Sequence, residues 1–393
     1  MRKVIYSLML AVALVMIIAF LYKDKIERLQ RVNTLFDKEN IATNFQDADV
    51  FFPSTSIPPS SKPYVLTTKL DYSLPPTFLH QGESYQVNQF LEETQTEGFL
   101  IIQADTIRIE NYHLGLEPDE QHISWSMSKS FIATLIGIAV QQGKLNLEDE
   151  VTTLLPDFKD TGYEGATVLD LLGMRSGVRF TEDYGDYNSD INRFGRAFAM
   201  GTSYREFAKT LENEVAPGSR CRYVSIDTQV LGFLLTEAMG QSLTELLQKY
   251  IWEPVGMEHK GGWIVDNTDY EMALGGILAS LRDYAKLGQL YLNKGTLNGH
   301  QIVSPEWVSS ATSRHPDQPA SQHSQMGYGY QWWIPSNDTG DFMAIGIYDQ
   351  FVYIHPEKDL VIAKLSADYR FKTNGPAIRA QHISFFQEVA KSF

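Results

Sequence analysis

Along the chain the pattern of apolar and polar positions changes character several times. The opening stretch "MRKVIYSLMLAVALVMIIAFLYKDK" runs from Arg2 and Lys3 into an uncharged apolar run, Val4 to Tyr22, of about 19 residues. As a helix that length spans a bilayer core, which predicts a transmembrane segment over 1–22. Basic residues ahead of the span keep the short amino terminus cytoplasmic and turn the rest of the chain outward. The rival reading is a secretory signal, but "AFLYKDK" offers no small-x-small cleavage site. Ile26, Leu29, Val32 and Leu35 then fall at helical spacing among alternating charges and predict a short solvated stalk. From Phe52 to Pro76 proline and serine dominate, which predicts an extended arm, so residues 23–95 read as stalk and arm.

A different texture begins near Gly98. "GFLIIQADTIRIENYHLG" reads as two strands hinged at Ala104-Asp105, and a helix opens at Ser126. From about 147 to 270 the pattern is helices and loops. The tail then returns to strands in "YGYQWWI", "FMAIGIY", "QFVYIHP" and "DLVIAKLSA", and closes with a helix. Strands that bracket a helical block predict an α/β domain over 96–393, with an antiparallel sheet built from both chain ends, flanking helices and an inserted all-α domain. A cleft between the two parts is the natural site.

Composition narrows the function. The 393 residues are 43% hydrophobic and 12% aromatic, which is globular, and the formal charge of −15 excludes an electrostatic grip on nucleic acid. A single cysteine, Cys221, leaves no intramolecular disulfide, and nine scattered histidines without a closely spaced pair leave no evident metal ligand set. No cofactor is implied.

Three short segments carry candidate chemistry. In "ISWSMSKSFIATLIGIAVQQGKL", Ser126 and Lys129 are three apart at the mouth of an apolar helix. Backbone N–H groups and the dipole there favour developing negative charge. A lysine enclosed by Trp125, Phe131 and the inserted helices loses hydration, which favours its neutral form as a base. The same pair also fits a capping serine and a solvent-facing lysine. In "VAPGSRCRYVSIDTQVLG", Tyr223 and Ser225 precede a helix, where a phenol can pass a proton to a leaving group. In "AIGIYDQFVYI", Gly346 permits close backbone approach, and the Ile347 N–H can serve an oxyanion.

Their order and spacing, with "LLGMRSG", "LGGILASLRDYAKLGQLYLNKG", "GYGYQWW" and "DQFVYIHPEKDLVIAKLS", resemble the serine beta-lactamase and penicillin-recognising superfamily from about Gly98 onward. Within it the chain is most similar to the class C-like branch that includes 6-aminohexanoate-dimer hydrolase and family VIII carboxylesterases. The resemblance implies Ser126 as nucleophile, Lys129 as its base and Tyr223 as proton shuttle, with the amides of Ser126 and Ile347 as the oxyanion hole. It further implies that Tyr184 closes over the substrate, and Ser225, Gly346, Asp349 and Gln350 are read beside it as further substrate contacts. Two departures matter. Ser225 stands where beta-lactamases have asparagine, and "AIG", Ala344 to Gly346, replaces Lys-Thr-Gly, so the lysine that holds a penicillin carboxylate is missing. Asp349 stands where relatives have glycine, and it either selects cationic substrates or faces solvent.

The resulting expectation is a serine hydrolase anchored by one span in a bacterial inner membrane, with its catalytic domain in the periplasm. It would cleave a small amide or ester through a Ser126 acyl-enzyme, with poor or no beta-lactamase activity and without metal or cofactor. Secretion after cleavage is the alternative location. A non-hydrolytic binding or scaffold protein and a cell-wall D-amino-acid peptidase are the alternative functions.

Overall fold

The computed structural model describes residues 2–314, 326–336 and 339–393. The strands that matter for the site are β1 (Thr67–Thr68), β2 (Thr96–Gln103), β3 (Thr106–Tyr112), β4 (Gly327–Tyr328), β5 (Trp333–Ile334), β6 (Phe342–Gly346), β7 (Gln350–His355) and β8 (Leu360–Ser366). They form one sheet in the order β4-β5-β6-β7-β8-β2-β3-β1. Only β1 pairs in parallel, with β3. The β2–β3 hinge is a tight turn with Ala104 and Asp105 at φ 48° and 54°, the left-handed pairing that matches strand twist. The tail strand β8 pairs antiparallel with β2, Ile362 opposite Ile101, so both chain ends build the sheet as expected.

The runs "FLII" and "LVIA" lack polar alternation because both faces of the sheet are covered. Leu100, Ile102, Val352, Val361 and Ala363 join the main core. Phe99, Ile101, Phe351, Tyr353 and Ile362 face the other way, onto Phe385 and Phe386 of the closing helix. A helix over Leu281–Leu292 lies on the first face at Gly288, where a Cβ would stand 2.6 Å from Val361 Cγ1 and 2.8 Å from Val352 Cγ1. Any side chain there would lift the helix off the sheet.

The helices used below are α1 (Arg2–Leu21), α2 (Lys23–Thr34), α3 (Ile41–Gln46), α4 (Ser128–Gln141), α5 (Asp190–Ala199), α6 (Ser225–Met239), α7 (Leu281–Leu292) and α8 (Phe371–Lys391). The inserted block is helical where its sequence carries start signals. Thr167 with Asp170, Ser203 with Glu206 and Ser242 with Glu245 each form a reciprocal capping box. The block ends in a strand, Gly261–Ile264, inside the range read as helical.

The amino-terminal third departs from expectation. Segment 1–22 is helical over α1, with Val4, Leu10 and Phe20 exposed. Among the described residues, however, no helix is long and apolar enough to cross a membrane, so the fold carries no transmembrane assignment. Stalk and arm are not free of the domain. Leu35, Ile41, Phe45, Ile57 and Leu66 are buried in the main core. The arm strand Ser54–Ile57 pairs with Gly261–Ile264 in a second sheet that also contains Ile277–Ala279 and His122–Ile123. Apolar residues between the charges and prolines drive this docking, because exposing them would forgo the burial of large side chains.

Candidate active site

His122–Ile123 delivers the chain to Ser124, after which Trp125 takes a left-handed φ of 47° and residues Trp125–Met127 make one 3₁₀ turn into α4. Ser126 therefore sits in the turn ahead of the helix, two residues earlier than a helix-start position. The turn is pinned: Ser124 and Ser128 hydroxyls hydrogen-bond at 2.6 Å, and Ser128 Oγ accepts the Ile277 N–H at 3.0 Å.

Lys129 lies in the first turn of α4 and is buried. Its Nζ donates to Ser126 Oγ at 3.1 Å and to the Leu274 carbonyl at 2.5 Å. Burial pulls its pKa from 10.5 down to about 7, against the opposing pull of the Glu182 and Asp227 carboxylates. A neutral Lys129 keeps an N–H for Leu274 and turns its lone pair to Ser126. Tyr223 closes the third side: Lys129 Nζ is 5.5 Å from its ring centroid. Its ring stacks on Trp333 at 5.3 Å. Burial drives the phenol pKa well above its ordinary value, so it stays protonated at neutral pH.

Glu182 is the residue that sequence reasoning missed. It accepts the Ser225 N–H at 2.6 Å and the Tyr184 hydroxyl at 3.2 Å, and burial raises its pKa. It thereby ties Tyr184 and Ser225 to the lysine's electrostatic surroundings. Its position in "TEDYGDY", two residues before Tyr184, was the available signal. Asp227, two residues beyond Ser225 in the first turn of α6, accepts the Tyr163 hydroxyl at 3.1 Å and is pushed up to about 8 by burial.

The β6–β7 hairpin brings the tail to the same place. At Gly346 a Cβ would lie 2.3 Å from the Ser124 carbonyl oxygen, so only glycine lets this strand end reach the Ser126 turn. Ile347 follows it and lines the cavity. Gln350 is fully buried and does not face that cavity. Its amide nitrogen donates to the Tyr348 and Ser366 carbonyls at 2.9 and 2.5 Å, and its oxygen accepts the Ser366 N–H at 3.0 Å, which clamps the hairpin. Asp349 neither lines the cleft nor meets solvent. It is buried beside Lys364, Asp368 and Arg379, and burial raises its pKa while lowering that of Lys364. The expected selection of cations by Asp349 is thus without a structural basis.

A cavity of about 350 Å³ opens beside Ser126. Trp125, Tyr184, Phe194, Phe198, Leu274 and Ile347 form much of its wall, and the residues lining it include no aspartate or glutamate. Among the described residues no cluster of three or more His, Cys, Asp or Glu is placed to hold a metal ion.

The family model described as Beta-lactamase matches residues 87–382. The 6-aminohexanoate-dimer hydrolase of Paenarthrobacter ureafaciens is 30% identical over 294 residues, covering 72% of this chain and 75% of that protein. A Bacillus anthracis structure provisionally described as a 6-aminohexanoate-dimer hydrolase superposes with a TM-score of 0.81 at 21% identity, covering 90% of this chain and 96% of the other. A family VIII carboxylesterase shares the fold at a TM-score of 0.55 and 14% identity, covering 75% and 95%. The chain belongs to the Beta-lactamase family and is a serine hydrolase of that fold.

Proposed function

We propose that this protein hydrolyses an amide or ester bond through an acyl-enzyme on Ser126, with Lys129 as the base. The carrying observation is the 3.1 Å contact between Lys129 Nζ and Ser126 Oγ, in a site that lowers the lysine to about 7. A base poised near the working pH is partly neutral and still basic enough to take the serine proton. Ser126 Oγ attacks the carbonyl, Lys129 accepts the proton, and the N–H groups of Ser126 and Ile347 serve the oxyanion. Tyr223, protonated and beside Lys129, hands a proton to the departing amine or alkoxide. Water then releases the acyl group by the reverse route.

The altered third motif supports amide or ester substrates over penicillins. Ala344 stands in β6 where a carboxylate-binding lysine would be, and it is buried. The same absence disfavours peptides with a terminal carboxylate, and a scaffold protein would not need a buried lysine hydrogen-bonded to Ser126. The apolar run Val4–Tyr22 supports an anchor that holds the enzyme at a membrane, with the domain outward.

Mass spectrometry after brief incubation with p-nitrophenyl acetate or butyrate tests the chemistry. An acyl adduct on Ser126 that is absent in Ser126→Ala and Lys129→Ala is the expected result. Undiminished turnover in Ser126→Ala would remove the assignment.

A further inference from the structure

The cavity beside Ser126 is not built by the catalytic domain alone. Val32 and Asn33 of α2, Leu35 and Phe36 just after it, and Phe52 supply one wall, and all precede the stretch matched by the family model. Ile191, Phe194 and Phe198 of α5 line the same cavity, and Phe198 meets the Phe52 ring with centroids 5.8 Å apart. The wall is held firmly. Phe36 stacks on Tyr348 with centroids 4.6 Å apart and planes at 14°, and it lies 5.6 Å from Trp125. Phe45 of α3 packs on the same two rings at 5.4 and 5.3 Å. Tyr348 follows Ile347, and Trp125 precedes Ser126, so the amino-terminal segment is clamped to both turns that meet the reacting carbonyl.

We propose that residues 32–52 form a specificity strap and that the substrate carries an extended apolar acyl chain seated between this strap and α5. The chain class follows from the walls: valine, leucine, isoleucine, phenylalanine, methionine and tryptophan make up most of the lining beside a few polar residues, and no acidic side chain lines it. Its two cations have partners within the wall itself, Arg196 donating to the Tyr187 carbonyl at 2.7 Å and Lys372 lying 4.9 Å from the Phe36 ring centroid. A volume of about 350 Å³ exceeds what an acetyl group fills and lies at the small end of ligand pockets, about 300 to 1,000 Å³. This inference rests on the acyl-enzyme reading, because it takes the chain to be the acyl part attached to Ser126.

The test compares kcat/KM for p-nitrophenyl acetate, butyrate and octanoate in the full chain, in Val32→Trp and in Val32→Ala. Each methylene taken up by an apolar wall is worth about fourfold, so the wild type should favour octanoate over acetate by at least about tenfold. Val32→Trp, which fills the space, should lower that ratio about tenfold or more, and Val32→Ala should move the optimum towards longer chains. A purely structural role would depress all three esters together and leave the ratios in place. Equal ratios in all three proteins, or a wild type that prefers acetate, would overturn the proposal. A second readout is independent of turnover: calorimetric binding of octanamide to Ser126→Ala, expected to be at least about tenfold weaker in Ser126→Ala/Val32→Trp. Binding unaffected by Val32→Trp would also overturn it. Failure of the acyl-enzyme reading shows separately, as a wild-type chain that a fluorophosphonate does not label at Ser126.

Discussion

At the scale of single residues, the site is organised around moving one lysine pKa. Burial lowers Lys129, while Glu182 and Asp227 oppose it, and the result near 7 makes activity depend on pH in a defined direction. Lys129 must be neutral to accept the Ser126 proton, so acylation should rise through about pH 7, reach a plateau above it, and fall about tenfold per unit below it. Stopped-flow acylation across pH reads this limb directly. Glu182→Gln keeps the hydrogen-bonding shape but removes a charge that holds the lysine pKa up, so the midpoint should move to lower pH. An upward or absent shift would show that Glu182 is not coupled to the base. Gln350 tests support from behind the site. Gln350→Ala leaves the Ser366 N–H and several carbonyls buried without their partner, at a cost of about 1–3 kcal/mol per unsatisfied group. Urea unfolding should show that loss, accompanied by a fall in kcat as the Ile347 turn loosens.

At the scale of elements, two glycines mark contacts that no side chain fits. Gly346→Ala would force the end of β6 away from the Ser124 carbonyl, since real Cβ atoms do not approach oxygen to 2.3 Å. The expected outcome is loss of Ser126 acylation with a cooperative unfolding transition still present. Gly288→Ala meets Val361 and Val352 instead, far from chemistry in its effect, and should cost about 1–3 kcal/mol of stability by overpacking. The strand β6 also bears on the proposed substrate class. With buried Ala344 in the position of the missing lysine, nitrocefin turnover should be weak or absent, and turnover comparable to ordinary beta-lactamases would refute this.

At the scale of the whole molecule, the amino-terminal region joins two roles, a proposed anchor and a wall of the cavity. Removal of residues 1–22 should release the protein from the membrane fraction into the soluble fraction on centrifugation, while the strap and its aromatic clamp stay in place. What was legible in the chain was whatever local chemistry dictates. The strand pair hinged at Ala104-Asp105 and the capping-box helices announce themselves through turn residues and short-range hydrogen bonds, and the SxxK and Tyr-x-Ser spacings place their side chains at element starts. The apolar tail runs were legible as strands for the same reason. Other properties arise only from contacts distant in sequence. Nothing near Phe36 or Phe45 marks them as parts of a catalytic cleft, because their partners, Trp125 and Tyr348, lie some 80 to 310 positions away. Asp349 reads as a cleft residue beside Gly346, yet the hairpin turns it into a buried cluster with Lys364 and Asp368. The sequence by itself determined which groups could act as nucleophile, base and proton shuttle. Tertiary structure alone decided the protonation of Lys129, through desolvation and two carboxylates from other segments, and the shape of the acyl pocket, through the strap that folds back across it.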